Sequence, residues 1–270
     1  APAEARTEEL VRLWQELPEF PSLADGIRRE LPAQAVYGIT GPAAASLLTA
    51  LAETTGRTLF VLTADQSSAD TVASDLRAWL PEERVAVFPA VEVLPFEVLA
   101  SSPELRALRL EAMARLRSGR CVVVAPVAAL ARRLTNPRKW EAGRAELAVG
   151  ATCDRDELVA RLVASGYERT EQVERPGEFA VRGGIVDVFP PTEERPIRIE
   201  FFDDEIESIR VFETASQRST GELQRATLLP AQELVLDEAA WQRGLQVLEA
   251  RLERLREETR GRRGGPQHRL

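Results

Sequence analysis

The stretch Gly166 to Ser219, GYERTEQVERPGEFAVRGGIVDVFPPTEERPIRIEFFDDEIESIRVFETASQRS, contains four short runs of strand-type residues separated by turn-type residues. The runs are EFAVRG, GIVDVFP, IRIEFF and EIESIRVFE, and their connections are Gly183-Gly184, a proline-rich loop from Pro190 to Pro196, and Asp203-Asp204. Glycine accepts positive φ and aspartate hydrogen-bonds its own backbone, so these are hairpin connections. The pattern predicts an antiparallel sheet with one packed face. Side chains alternate across a strand, so placing Val186 and Val188 toward the core sends Ile185, Asp187 and Phe189 to the opposite face, leaving Phe189 as an exposed aromatic. By the same alternation Phe179 and Val181 share one face, and Ala180 and Arg182 the other. Arginine beside phenylalanine on an open sheet face is a residue pairing typical of binding hot spots. From the residues alone a second account stands. Arg169 and Arg182 are then solvated surface or ion-paired to carboxylates such as Glu178 or Glu200, and Phe189 is core. The acidic run Asp203-Asp204-Glu205 with Glu207 reads as a turn, since no other ligands converge there to make a metal site or a catalytic carboxylate pair.

Upstream the texture differs. AVYGIT from Ala35, TLFVLTA, VAVFPA and CVVVAP alternate with amphipathic stretches at Ala43 to Leu51, Ser68 to Leu80 and Pro103 to Leu116, a βαβ rhythm that predicts a parallel sheet. In the third of these helices Leu105, Leu108, Met113 and Leu116 lie on or near one face, with Arg106, Arg109, Glu111, Arg115 and Arg117 mostly elsewhere. Thr135-Asn136-Pro137 breaks the rhythm, and a helix from Asp154 to Ser165 precedes the hairpin strands. From about Leu236 helical spacing returns through Trp241, Leu245, Leu248, Leu252 and Leu255, before an arginine- and glycine-rich end with Arg260, Arg262, Arg263 and Arg269. The expected fold class is α/β: a P-loop-like parallel-sheet domain over 1–134, a smaller α+β domain with an antiparallel sheet over 135–235, and a helical return toward the first domain over 236–270.

The segment Gly38 to Ser46, GITGPAAAS, occupies the place of a phosphate loop between a predicted strand and a helix. Its chemistry is missing. A working loop needs a lysine for the β and γ phosphates and a hydroxyl for magnesium. After Gly38 and Gly41, the relevant positions here hold Ala43, Ala44 and Ala45, with Ser46 one residue late. The helix N-terminus could still attract an anion, but hydrolysis would lack its main electrostatic support.

Composition narrows the function classes. The chain has 270 residues, 44% of them hydrophobic, enough for two cores, and a formal charge of −8, which argues against wrapping nucleic acid over its whole surface. The one histidine, His268, lies in the tail, which nearly rules out a Ser-His-Asp triad or a histidine metal centre in the body, and the one lysine, Lys139, is the sole candidate for any lysine chemistry. No cofactor or metal is expected. Cys121 and Cys153 sit singly and are expected to be inert buried thiols. With no apolar span or signal core, a cytoplasmic chain without membrane contact is expected.

The elements Y-x-R, G-x-F-x-V-R-G, D-V-F-P and I-x-F-F-D-D-E-I within 166–219 resemble the second domain of UvrB and of the transcription-repair coupling factors. The resemblance extends through FPAVEVLPFE and SPELRALRL, covering about 35–233, and these upstream segments look like the coupling-factor family in particular. UvrB-type proteins use a working phosphate loop and a long aromatic β-hairpin on damaged DNA. Here 13 residues separate Pro89 from Pro103, with Phe96 their only aromatic, so no tyrosine-rich hairpin fits. The resemblance implies a module that recruits UvrA by protein-protein binding without catalysis. RNA polymerase and double-stranded DNA are then partners of regions absent from these residues. It implies UvrA contacts at Arg169, Arg182 and Phe189, with Glu178 and Phe179 as weaker candidates. UvrB carries an arginine where this chain has Ala180. The rival readings are a UvrB-type nucleotide-dependent DNA-processing enzyme, tested by nucleotide binding, and a direct DNA-binding module, tested by salt-sensitive DNA affinity.

Overall fold

The computed structural model describes residues 3–91, 102–131, 133–235 and 238–263. Phe96, His268 and Arg269 lie outside the described residues, as does most of the segment FPAVEVLPFE. The first unit runs α1 (Ala3–Gln15), α2 (Glu19–Arg28), α3 (Pro42–Thr55), β1 (Leu59–Thr63), α4 (Gln66–Arg77), β2 (Val85–Val87), α5 (Pro103–Ser118) and β3 (Val122–Pro126). Its three strands are parallel in the order β1-β3-β2. The central strand, VVVAP, is buried along its whole length, as an unbroken apolar run in a parallel sheet covered on both faces should be. On one face Val122, Val124 and Val85 pack with Ala45, Ala69, Ala73 and Leu76 of α3 and α4. On the other, Val123, Ala125 and Phe88 pack with Leu110 and Met113 of α5. Side-chain caps start two of these helices, Asp65 accepting from the Ser68 amide at 2.8 Å and Ser102 from that of Leu105 at 3.1 Å.

Two expectations for this unit change. AVYGIT forms no strand: Val36 and Tyr37 are 47% and 88% exposed, and residues 34–37 and 39 line a cleft of about 600 Å³ with Trp14, Phe20 and Leu47. A strand exists through its ladder partners, and this segment pairs with none of the three strands of the sheet. The parallel sheet is real, but the strand that should feed the phosphate loop is not. In α5 the charge pattern also misleads. Leu108 is 45% exposed, whereas Arg109 is 1% exposed on the packed face.

The second part comprises α6 (Pro137–Ala142), β4 (Ala145–Ala148), α7 (Arg155–Ala164), β5 (Glu168–Arg169), β6 (Glu178–Arg182), β7 (Ile185–Val188), β8 (Ile197–Phe202), β9 (Glu205–Phe212), β10 (Ser219–Leu223), β11 (Arg225–Leu228) and α8 (Glu238–Arg263). Six strands form one sheet in the order β10-β9-β8-β7-β6-β5, antiparallel except for the β5-β6 pair, and β4 pairs with β11. The Asp203-Asp204 turn closes β8 onto β9 with Phe202 opposite Glu205, and Asp203 takes a positive φ of 56°. Phe179, Val186, Val188, Ile197, Ile199, Ile206 and Ile209 pack against Leu158 and Leu162 of α7. Asp154 caps α7, its carboxylate accepting from the amides of Asp156 and Glu157 at 2.8 and 2.9 Å.

Packing ties the two parts together. Trp140 of α6 is buried in the parallel-sheet core, and so is Val235, whose amide donates to the Thr135 hydroxyl at 3.1 Å. The chain therefore returns to the first unit through Glu233 and Val235. On α8, by contrast, Trp241, Val247, Leu248, Leu252 and Leu255 remain exposed. Cys121 is buried, which pushes its thiol pKa up, but Cys153 is only partly buried, against expectation; both are free. Among the described residues no helix is long and apolar enough to cross a membrane.

Candidate interaction surface

The sheet face turned away from α7 carries the residues that alternation sends outward. Across it, register aligns Asp187 with Ala180 and with Arg198, Ile185 with Arg182 and with Glu200, and Arg198 with Arg210. Asp187 is 1% exposed, and an ionised carboxylate so buried requires partners. Arg198 supplies two hydrogen bonds, Nε to Oδ1 at 2.7 Å and Nη2 to Oδ2 at 3.0 Å. Arg182 supplies one, Nη2 to Oδ2 at 2.6 Å. The two arginines differ in setting. Arg198 is 15% exposed, with its guanidinium 4.6 Å from the centre of the Phe212 ring, whereas the Arg182 side chain is 49% exposed. The Asp187 hydrogen bond pushes the pKa of Arg198 up despite its burial. Further along, Glu200 accepts from the Ser208 hydroxyl at 2.7 Å and from Arg210 at 3.4 Å.

Beside this network the face is closed by a small second core. Val173 packs with Ala180, Phe189 and Phe212, and Phe189 is only 8% exposed. Phe189 does leave β7 on the side that alternation assigns, but it is covered and is not the exposed aromatic expected. The cover is the turn 170–177, clamped by Glu178. The Glu178 carboxylate accepts from the amides of Glu174 and Arg175 at 2.8 and 2.9 Å and from the Arg175 guanidinium at 3.2 Å. Glu178 is 6% exposed and Phe179 is fully buried against α7, so neither side chain presents itself to a partner. Arg169 is exposed, with no ion pair among the described residues. Register pairs it with Phe179, which puts it on the face opposite Arg182. Of the five expected contact residues, Arg182 and Arg169 are exposed, on different faces. Asp187 and Arg198 were missed by the sequence reading. Alternation sends Asp187 outward, but its pairing with Arg198 depends on the register across the 190–196 loop, which counting outward from Pro190 and Pro196 misses by one residue.

Burial alone would raise the pKa of Glu178; the amides of Glu174 and Arg175 and the Arg175 guanidinium outweigh it and hold the carboxyl below its ordinary value. A depressed folded pKa contributes stability that is present above the unfolded pKa and lost as pH falls through the folded one. Glu178→Gln is therefore expected to cost about 1–3 kcal/mol at neutral pH. In urea titrations the gap to the wild type should close as pH drops below the ordinary carboxylate range. A gap that is the same at pH 7 and in strong acid would contradict the clamp.

The segment expected to be a degenerate phosphate loop turns the chain into α3. Gly38 and Gly41 take positive φ values of 81° and 57°, turning the chain into α3 at Pro42, and Ala43, Ala44 and Ala45 form the first turn of that helix. The Ser46 hydroxyl donates to the Ala43 carbonyl at 2.8 Å and accepts from the Trp14 indole at 3.2 Å, so it is engaged in packing α1 on α3.

Residues 145–234, which span β4 to the Glu233 return, match the family model of the UvrB interaction domain. These residues belong to the UvrB interaction domain family. Most of the chain is similar to the N-terminal part of proteins named transcription-repair-coupling factor. It is 38% identical to that of Bacillus subtilis over 239 residues, covering 88% of this chain and 20% of the relative. The Myxococcus xanthus protein is 37% identical over 74% of this chain and 17% of the relative, and the Mycobacterium bovis protein 39% identical over 77% and 18%. The chain thus spans about a fifth of the length of the curated relatives it matches. The UvrB interaction domain holds the antiparallel sheet and all five expected contact residues.

Proposed function

We propose that this chain is the UvrA-recruiting module of a transcription-repair coupling factor, linking a stalled RNA polymerase to nucleotide excision repair by protein binding and hydrolysing no nucleotide itself. The observation that carries the reading is Arg182. It is a half-exposed guanidinium fixed on a rigid sheet by a buried carboxylate, at the edge of the small core around Phe189. A fixed arginine loses little entropy on binding, and arginines so placed dominate many interfaces. Family membership supports the same surface, and the engagement of Ser46 in packing supports a phosphate loop without catalytic work. Phe189 contributes from beneath, shaping the surface rather than touching the partner.

Calorimetric titration of the folded chain into purified UvrA tests this. Saturable binding is expected, weakened about 30-fold by Arg182→Ala, which is about 2 kcal/mol. A folded wild-type chain that does not bind UvrA would overturn the proposal, and magnesium-dependent nucleotide binding or salt-sensitive binding to damaged duplex would replace it.

A further inference from the structure

We infer that Asp187 and Arg198 are positioning residues that hold Arg182 half-satisfied, so that its free donors receive a carboxylate from the docked partner. The inference rests on the recruitment reading and adds the chemistry of the contact. Arg198 alone meets the need of Asp187, binding both carboxylate oxygens through Nε and Nη2. Arg182 adds a third bond through Nη2 only. A guanidinium has five N–H donors in a planar fork, and Arg182 makes no other hydrogen bond among the described residues. Nη2 carries two N–H groups, one on each of the two bidentate edges that it forms with Nε and with Nη1, so the single bond to Asp187 leaves one edge oriented with no protein acceptor among the described residues. The arrangement suits a planar acceptor that takes two parallel bonds, which a carboxylate does.

The charge around it selects a carboxylate on a protein over a nucleic-acid phosphate. On this face Arg182, Arg198 and Arg210 are matched by Asp187, Glu200 and Glu222, so there is no positive field of the kind that backbone phosphates need. A single oriented fork on a neutral face reads one acidic side chain. Arg198 stays committed to Asp187 by its burial and its stacking on Phe212.

A double-mutant cycle against purified UvrA tests the assignment. The buried pair is replaced together, Asp187→Asn with Arg198→Met, so that no lone charge is left inside, and folding is checked by circular dichroism and urea titration. The paired replacement is expected to weaken binding about 10-fold in the wild-type background and by less than twofold in the Arg182→Ala background, because its effect passes through Arg182. An equal loss in both backgrounds would make Asp187 and Arg198 merely structural, and no loss in either would also overturn the inference. Arg182→Lys supplies an independent readout should the pair not fold. One ammonium engaged by Asp187 leaves no fork, so a loss close to that of Arg182→Ala is expected, and wild-type affinity in Arg182→Lys would overturn the claim. Competition by duplex DNA for the same arginine would replace the carboxylate with a phosphate. Absence of UvrA binding by the wild type would remove the recruitment reading itself, a result distinct from a wild type that binds and variants that bind equally well.

Discussion

Replacing Arg109 by alanine is expected to lower the unfolding free energy by about 3 kcal/mol, the low end of the range for removing one partner of a buried ion pair, because the Glu233 side chain left behind is 25% exposed. Arg109 is 1% exposed, and its Nε and Nη2 donate to the two Glu233 oxygens at 2.6 and 2.7 Å. Its Nη1 donates to the Pro89 carbonyl at 2.5 Å, and its guanidinium carbon lies 3.9 Å from the centre of the Phe88 ring. Alanine would leave a carboxylate and a carbonyl without their donors and open a void beside Phe88. The partners are far apart in sequence: Arg109 lies on α5 of the parallel-sheet unit, and Glu233 lies at the end of the interaction domain. The loss should therefore also loosen the seam between the parts. Urea unfolding of Arg109→Ala measures the cost, and a value below about 1 kcal/mol would mean that the pair contributes little. Arg109→Met with Glu233→Leu should recover much of the loss, because exchanging a buried pair for apolar groups of similar volume is often neutral or better.

This pair also shows where reading a sequence runs out. Alternation and turn chemistry are local, and they identify β6 to β9, their hairpins and the outward direction of Asp187 and Phe189. Burial depends on what arrives from elsewhere. Phe189 is covered because the turn carrying Val173 folds over it, held by a carboxylate that resembles any surface glutamate in the sequence. Arg109 is buried because Glu233 is delivered 124 residues later. AVYGIT has the composition of a strand but lacks a partner strand, and composition cannot supply one. The resemblance pointed to Arg182, and the structure supplies what the resemblance could not: its tether to Asp187, and the separation of Arg169 onto the opposite face.

Phe179→Ala is the second substitution with a large expected effect, about 3–5 kcal/mol of destabilisation for truncating a buried aromatic. Phe179 is fully buried, facing Val188 across the β6-β7 ladder and packed in the core that α7 covers. Its neighbours along the strand, Glu178 and Ala180, belong to the opposite face, so one residue of register separates the core from the surface of Arg182. That adjacency makes Phe179 informative, because a loss of UvrA binding in Phe179→Ala follows from unfolding and says nothing of contact. Phe179→Leu separates the two. It keeps an apolar group in the site, should cost about 1–2 kcal/mol less than alanine, and should leave a folded domain whose affinity for UvrA is that of the wild type. A folded Phe179→Leu domain with at least 10-fold weaker binding would mean that the ring reaches the partner after all, which its burial forbids unless docking opens the core. Unchanged affinity would leave recognition to the outward face, where Arg182 is the exposed member of the Asp187 network.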